Sequence, residues 1–201
     1  MELRTGSKTV ILCCYSYFVT DPNDIIRAMA AYGEPGEDNG VRLRIGDPGV
    51  GKTGNIIFYH ETDVSAPSGL RAAVQITIKS GLKEIDLMAA VAHEGTHAAD
   101  AQDFMRSITS NGDAQYDLNR FKYDYEMRAY SVEHAVYLLN NQTRPFDCGQ
   151  ARPCRLGVDA GIQTRQIQDH LYLPPYSVSP SALGSRMYPG FVPPTATTPQ
   201  K

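Results

Sequence analysis

Residues 81–105 read GLKEIDLMAAVAHEGTHAADAQDFM, and the segment His93-Glu94-Gly95-Thr96-His97 within them decides how the whole chain is read. Ile85, Met88 or Ala89, Ala92 and Thr96 recur at helical spacing with good helix formers between them, which predicts one helix with Ser80 as its cap. On that helix His93 and His97 share a face one turn apart. Their ring nitrogens can converge on one tetrahedral zinc ion at roughly 2.0–2.1 Å. Glu94 is rotated about 100° to one side, where it can take a proton from a water molecule in the metal's open position. Gly95 is the only helix-weakening residue inside, at about 1 kcal/mol relative to Ala, and its presence predicts that another backbone approaches closely there. The competing explanation is a structural pair of surface histidines. The chain has only 5 His, so an accidental match to this pattern is rare, and the helical context argues against it.

Two histidines do not complete a catalytic zinc site; a third protein ligand is needed. No further His follows closely, so the compact three-histidine version of the site is excluded. The best source is FKYDYEMRAYSVEHAVYLLNN at 121–141, where Tyr125, Ala129, Val132, Val136 and Leu139 mark one apolar stripe of a second helix. Glu126 borders that stripe and can reach inward. Glu133 lies seven residues on, along the same side, and is the reserve candidate. For either residue the alternative is an ordinary solvated or salt-bridged glutamate.

His93, Glu94 and His97 match the HExxH core of the zincin metallopeptidases, and Glu126-Met127-Arg128-Ala129 resembles the Glu-x-x-Ala element of the gluzincin branch. The resemblance implies His93, His97 and Glu126 as ligands of one zinc ion, with Glu94 as general base. It covers about a third of the chain, and the first motif is more specific than the second. Many gluzincins carry an acidic residue four positions after the ligand glutamate to buttress a histidine, whereas this chain has Tyr130. Asp100, on the histidine face of the helix, is the candidate for that role; the alternative is a solvated surface Asp.

The order of elements agrees with such a protein. TDPNDIIRAMAAYG at 20–33 predicts a helix with Asp21 or Thr20 as cap, Pro22 in the first turn and Gly33 at the end. VRLRI, NIIFYH and AAVQITI, beginning at 41, 55 and 72, predict strands between Gly and Pro turns. VILCCYSYFV at 10–19 is too short and too interrupted for an export signal and predicts a buried first strand. The expected architecture is α+β and zincin-like: a small N-terminal sheet with a helix, the active-site helix, then a helical C-terminal part. In the family resembled, an edge strand lines the cleft and pairs with extended substrate backbone.

One competing motif needs an answer. Gly46-Asp47-Pro48-Gly49-Val50-Gly51-Lys52-Thr53 satisfies the phosphate-loop pattern G-x-x-x-x-G-K-T, which would imply nucleotide binding. A phosphate loop needs a buried strand before it and a helix starting at Lys-Thr. Here VRLRI alternates with arginines and β-rich IIFYH follows, so a Gly-rich hairpin loop with an exposed Lys52 is expected instead.

At 201 residues with 42% hydrophobic content, the chain can bury one sizeable core, expected over 1–173 as a single domain. From Pro174 it holds 7 of its 13 prolines, so 174–201 is expected as an extended Pro-rich tail. A net charge of −3 offers no basic field, so nucleic acid is not an expected partner, and no stretch is long enough to span a bilayer. Cys148 and Cys154 could close a disulfide in an oxidising compartment, while Cys13 and Cys14 are expected to be free. VDAGIQTRQIQDHLY at 158–172 predicts a third helix, and His170, Tyr130, Tyr172 and Tyr176 are candidate oxyanion donors, with packing as the alternative for each.

The expected function is hydrolysis of a peptide bond in a protein or peptide substrate by zinc-activated water. The alternative is a zinc-containing binding or inhibitor module without turnover. Small size and the lack of a pro-segment or clear export signal suggest a toxin or effector, delivered by a bacterial secretion system and paired with a cognate inhibitor or immunity protein. A cytoplasmic protein is the other expectation.

Overall fold

The structure, a computed structural model, describes residues 22–108, 122–142, 145–146, 154–155, 167 and 171. Its elements are α1 (Pro22–Ala30), β1 (Val41–Gly46), β2 (Gly54–Thr62), β3 (Leu70–Lys79), α2 (Glu84–Ser107), α3 (Lys122–Leu139), β4 (Pro145–Phe146) and β5 (Cys154–Arg155). This is the expected α+β arrangement. The expected first strand at 10–19, the tail from 174, and Cys13, Cys14, Cys148, His170, Tyr172 and Tyr176 lie outside the described residues. Of the expected helix at 158–172, Ile167 and Leu171 are described; both are helical and fully buried, four residues apart as one helix face requires.

β3 is the centre of the sheet, parallel to β1 on one side and antiparallel to β2 on the other. Its inward residues Val74, Ile76 and Ile78 are fully buried, and the register sets Leu43 and Ile56 beside Ile76. This face packs on α2 through Ala90, Ala98, Ala101 and Phe104. A second apolar cluster, Ala28, Ala89, Ala92, Val132, Val136 and Tyr137, joins α1 and α3 to the opposite side of α2.

The active-site helix is therefore an axle between the sheet and two helices, buried on nearly every side from Ala89 to Ala101. That explains its alanines. They are the best helix formers and the smallest side chains that keep neighbours close on every face. Gly95 meets the closest of these approaches: a Cβ there would lie 2.8 Å from the Tyr32 ring and collide with the Ala28 carbonyl of α1. The backbone expected to approach Gly95 is thus α1, and Tyr32 fixes it by donating its hydroxyl to the Val91 carbonyl at 2.7 Å.

Local expectations needed three corrections. Ser80 does not cap α2; the helix starts at Glu84 after Lys83, whose side chain makes no capping bond. Leu139 leaves the expected stripe of α3 and is 71% exposed, because the helix ends there. Asn141 follows at φ 54, and the Gln142 amide donates back to the Tyr137 carbonyl at 2.9 Å, a left-handed stop that Asn tolerates. The Gly46–Thr53 segment is not a hairpin loop, since the strands it joins flank β3 instead of pairing with each other. No helix starts at Lys52, which is exposed, and β2 begins at Gly54, so the phosphate-loop reading fails.

Candidate active site

α2 presents His93 and His97 on its α3-facing side, with ring centroids 5.0 Å apart and planes at 76°. α3 returns antiparallel to α2 and supplies the third donor: Glu126 Oε2 stands 3.5 Å from His93 Nε2 and 3.6 Å from His97 Nε2. All three residues are buried, and their donor atoms lie within 4.8 Å of one another. Four-coordinate zinc with bonds of roughly 2.0–2.1 Å spaces its ligands about 3.3 Å apart, so the two glutamate–histidine separations are close to what the ion requires. Glu126 Oε2 is buried without a hydrogen-bond partner, a state a carboxylate does not hold cheaply unless a cation is its partner. The residues fit one zinc ion. His93, His97 and Glu126 would hold it.

The reserve candidate, Glu133, has a different place. Its Oε2 lies 3.0 Å from His93 Nδ1, the ring nitrogen facing away from the donor triangle. A carboxylate there fixes the tautomer that leaves Nε2 free to coordinate, and it raises the ring's basicity. Glu133 therefore does the buttressing expected of Asp100. Asp100 points elsewhere: Arg27 donates to its Oδ1 at 2.8 Å, and Arg128 donates to the same oxygen. Tyr130, expected as a possible oxyanion donor, packs its ring edge-on against His93 with centroids 4.7 Å apart. It braces the ligand from the side.

Glu94 stands outside the donor set but within its field. Burial raises its pKa, and the neighbouring His93 and His97 oppose that shift. Burial alone would lower the His93 pKa, but the Glu126 carboxylate 3.5 Å from Nε2 and the hydrogen bond to Glu133 outweigh it and push it up to about 10. Burial would raise the Glu126 pKa, yet the close approach of His97 and His93, 3.6 and 3.5 Å from its Oε2, holds it well below the usual carboxylate range. The site is a concentration of negative charge that favours a cation on the imidazole face.

Sequence reasoning missed Gly54. It opens β2 directly against the Glu94 side chain, whose Cγ and Cδ would lie 2.8 and 2.9 Å from a Cβ at that position. Its Gly-rich neighbourhood was visible, but a contact between a strand end and a helix forty residues later was not.

This geometry matches an HExxH gluzincin-type active site, and with its hydrogen-bonded carboxylates it is the architecture of a zinc hydrolase. No protein-family model, curated protein or solved structure matches the chain, so the assignment stands on the site itself.

Proposed function

We propose that this protein is a zinc-dependent metallopeptidase that cleaves peptide bonds with Glu94 as its general base. The convergence of His93 Nε2, His97 Nε2 and Glu126 Oε2, with a second glutamate beside but outside the triangle, carries the reading. When bound, zinc supplies Lewis acidity, polarising the scissile carbonyl and acidifying a water molecule. Glu94 accepts the water proton on its carboxylate and delivers it to the leaving amine nitrogen. Its burial raises its proton affinity toward what that exchange needs. Glu133 holds the His93 ring, so the geometry survives the charge redistribution of turnover.

A peptide substrate is supported by β2, an edge strand in the described sheet that starts at Gly54 beside Glu94. An extended backbone added to that edge would bring its amides past the base. No helix among the described residues is long and apolar enough to cross a membrane. Delivery as a bacterial toxin or effector, checked by a cognate inhibitor protein, extends the reading by analogy with other small metallopeptidases. Growth of bacterial cells expressing the parent or Glu94→Gln tests that extension: toxicity from the parent alone supports it, and equal growth refutes it.

The decisive experiment for the peptidase itself is digestion of unfolded casein by zinc-loaded protein, stopped by a chelator and restored by zinc. Zinc bound at one ion per chain with no cleavage of casein or a peptide library would assign a binding module without turnover instead.

A further inference from the structure

Gly54 has no backbone need to be glycine. Its φ lies outside the left-handed region, and it pairs with Ile78 as an ordinary strand residue. What excludes a side chain there is Glu94. A Cβ at position 54 would fall 2.8 Å from Cγ and 2.9 Å from Cδ of Glu94 and closer still to Oε1. Swinging the carboxylate alone does not relieve this, because Cγ is caught as well. The side chain would have to move by about 0.7 Å or more to regain ordinary carbon contact.

Neither backbone can retreat. On the sheet side, Lys79 donates to the Thr53 carbonyl at 2.8 Å and the Gly54–Ile78 pairing continues the ladder. On the helix side, Gly95 is already against α1, and the Tyr32 hydroxyl holds the Val91 carbonyl at 2.7 Å. Any added atom at 54 is therefore accommodated by Glu94.

We propose that Gly54 is a positioning residue for the general base: its bare backbone is the wall against which the Glu94 side chain rests, beside the donor triangle. The proposal relies on the peptidase reading for its catalytic meaning. Gly54→Ala should then displace the base while leaving His93, His97 and Glu126 in place. A misplacement approaching 1 Å lowers kcat on the order of 10- to 100-fold, with KM little changed and zinc content at the parental level.

Two measurements on the zinc-loaded full chain test this. In the first, kcat, KM and zinc content are measured for the parent and Gly54→Ala; kcat should fall with KM and zinc near the parental level, and an unchanged kcat would overturn the proposal. In the second, Tm is measured for Gly54→Ala, Glu94→Ala and their combination; Gly54→Ala should lower Tm in the parent and lose that effect once Glu94 is truncated at Cβ. An equal loss of Tm in both backgrounds would overturn the proposal, because a general strain on β2 would not depend on residue 94. If the parent shows no turnover, the peptidase reading fails by itself, while the Tm cycle still reports whether Gly54 sets the Glu94 side chain.

Discussion

α2 and α3 bring buried acids together twice, and the two clusters are neutralised by different chemistry. Around Asp100 the partners are guanidinium groups: Arg27 and Arg128 both donate to its Oδ1, and Arg27 continues to Asp103. One turn back along α2, Glu126 and Glu133 face imidazoles. Guanidinium is permanently charged and cannot give up its proton to offer a lone pair, so the first cluster, held through Asp100 Oδ1 while its Oδ2 is buried without a hydrogen-bond partner, is a structural tie between α1, α2 and α3. Imidazole can give up its proton and offer a lone pair, so the second can exchange that proton for a metal ion. Carboxylates at the contact of the same two helices thus become a brace or a metal-binding cluster according to their basic partners.

The largest effect that would sharpen this contrast is on turnover. Glu94→Gln keeps side-chain size and hydrogen bonding but removes the proton acceptor, so peptidase rate should fall by about 10²–10⁴-fold or more with zinc content unchanged. A retained rate would defeat the general-base assignment. Glu126→Ala should lose zinc and activity together, since it removes one of three protein donors. Asp100→Asn should behave in the opposite way: unfolding free energy falls by about 3 kcal/mol as two guanidinium groups lose their shared partner, while zinc stoichiometry measured by metal analysis stays at one. If Asp100→Asn released the metal and Glu126→Ala did not, the two clusters would have been assigned the wrong way round.

Smaller effects refine it. Glu133→Gln should weaken zinc affinity or activity by about 10- to 100-fold, read by competition with a chromophoric chelator. At Asp103, burial works to raise the pKa, but hydrogen bonds from Arg27 and Arg106 outweigh it and lower the value. A carboxylate depressed in the folded state stabilises above its unfolded pKa and loses that contribution as pH falls through the folded one. Asp103→Asn should therefore shrink the loss of Tm below about pH 4, and an unchanged acid limb would contradict the pairing. Lys52→Ala, in the phosphate-loop lookalike, should leave rate and Tm nearly unaltered.

The comparison also marks where sequence reading worked. Strands β1, β2 and β3 and helices α1, α2 and α3 were legible because periodicity and Gly or Pro punctuation are local signals. His93, Glu94 and His97 were legible for the same reason, lying within five consecutive positions on one helix. Glu126 was preferred to Glu133 from its place at the border of the apolar stripe, and the resemblance strengthened that choice; both lie on one side of α3, so the packing of α3 on α2 decides which reaches the triangle. Asp100 was misread because its helical face was right but its partners, Arg27 on α1 and Arg128 on α3, come from distant segments. The β1–β2 connection was misread as a hairpin because strand order in a sheet is set by packing on α2, and no feature of a Gly-rich loop reports it. Gly54 was invisible as a site residue because its role is the space it leaves.

The central claim is that the imidazole cluster, and not the guanidinium cluster, holds a metal ion. Crystals of the zinc-loaded protein, with anomalous X-ray data collected above and below the zinc absorption edge, test it directly. The account predicts one strong peak that vanishes below the edge, about 2.0–2.2 Å from His93 Nε2, His97 Nε2 and a Glu126 carboxylate oxygen. A peak ligated by Glu133 in place of Glu126, or no peak between α2 and α3 in protein that still cleaves peptides, would contradict it.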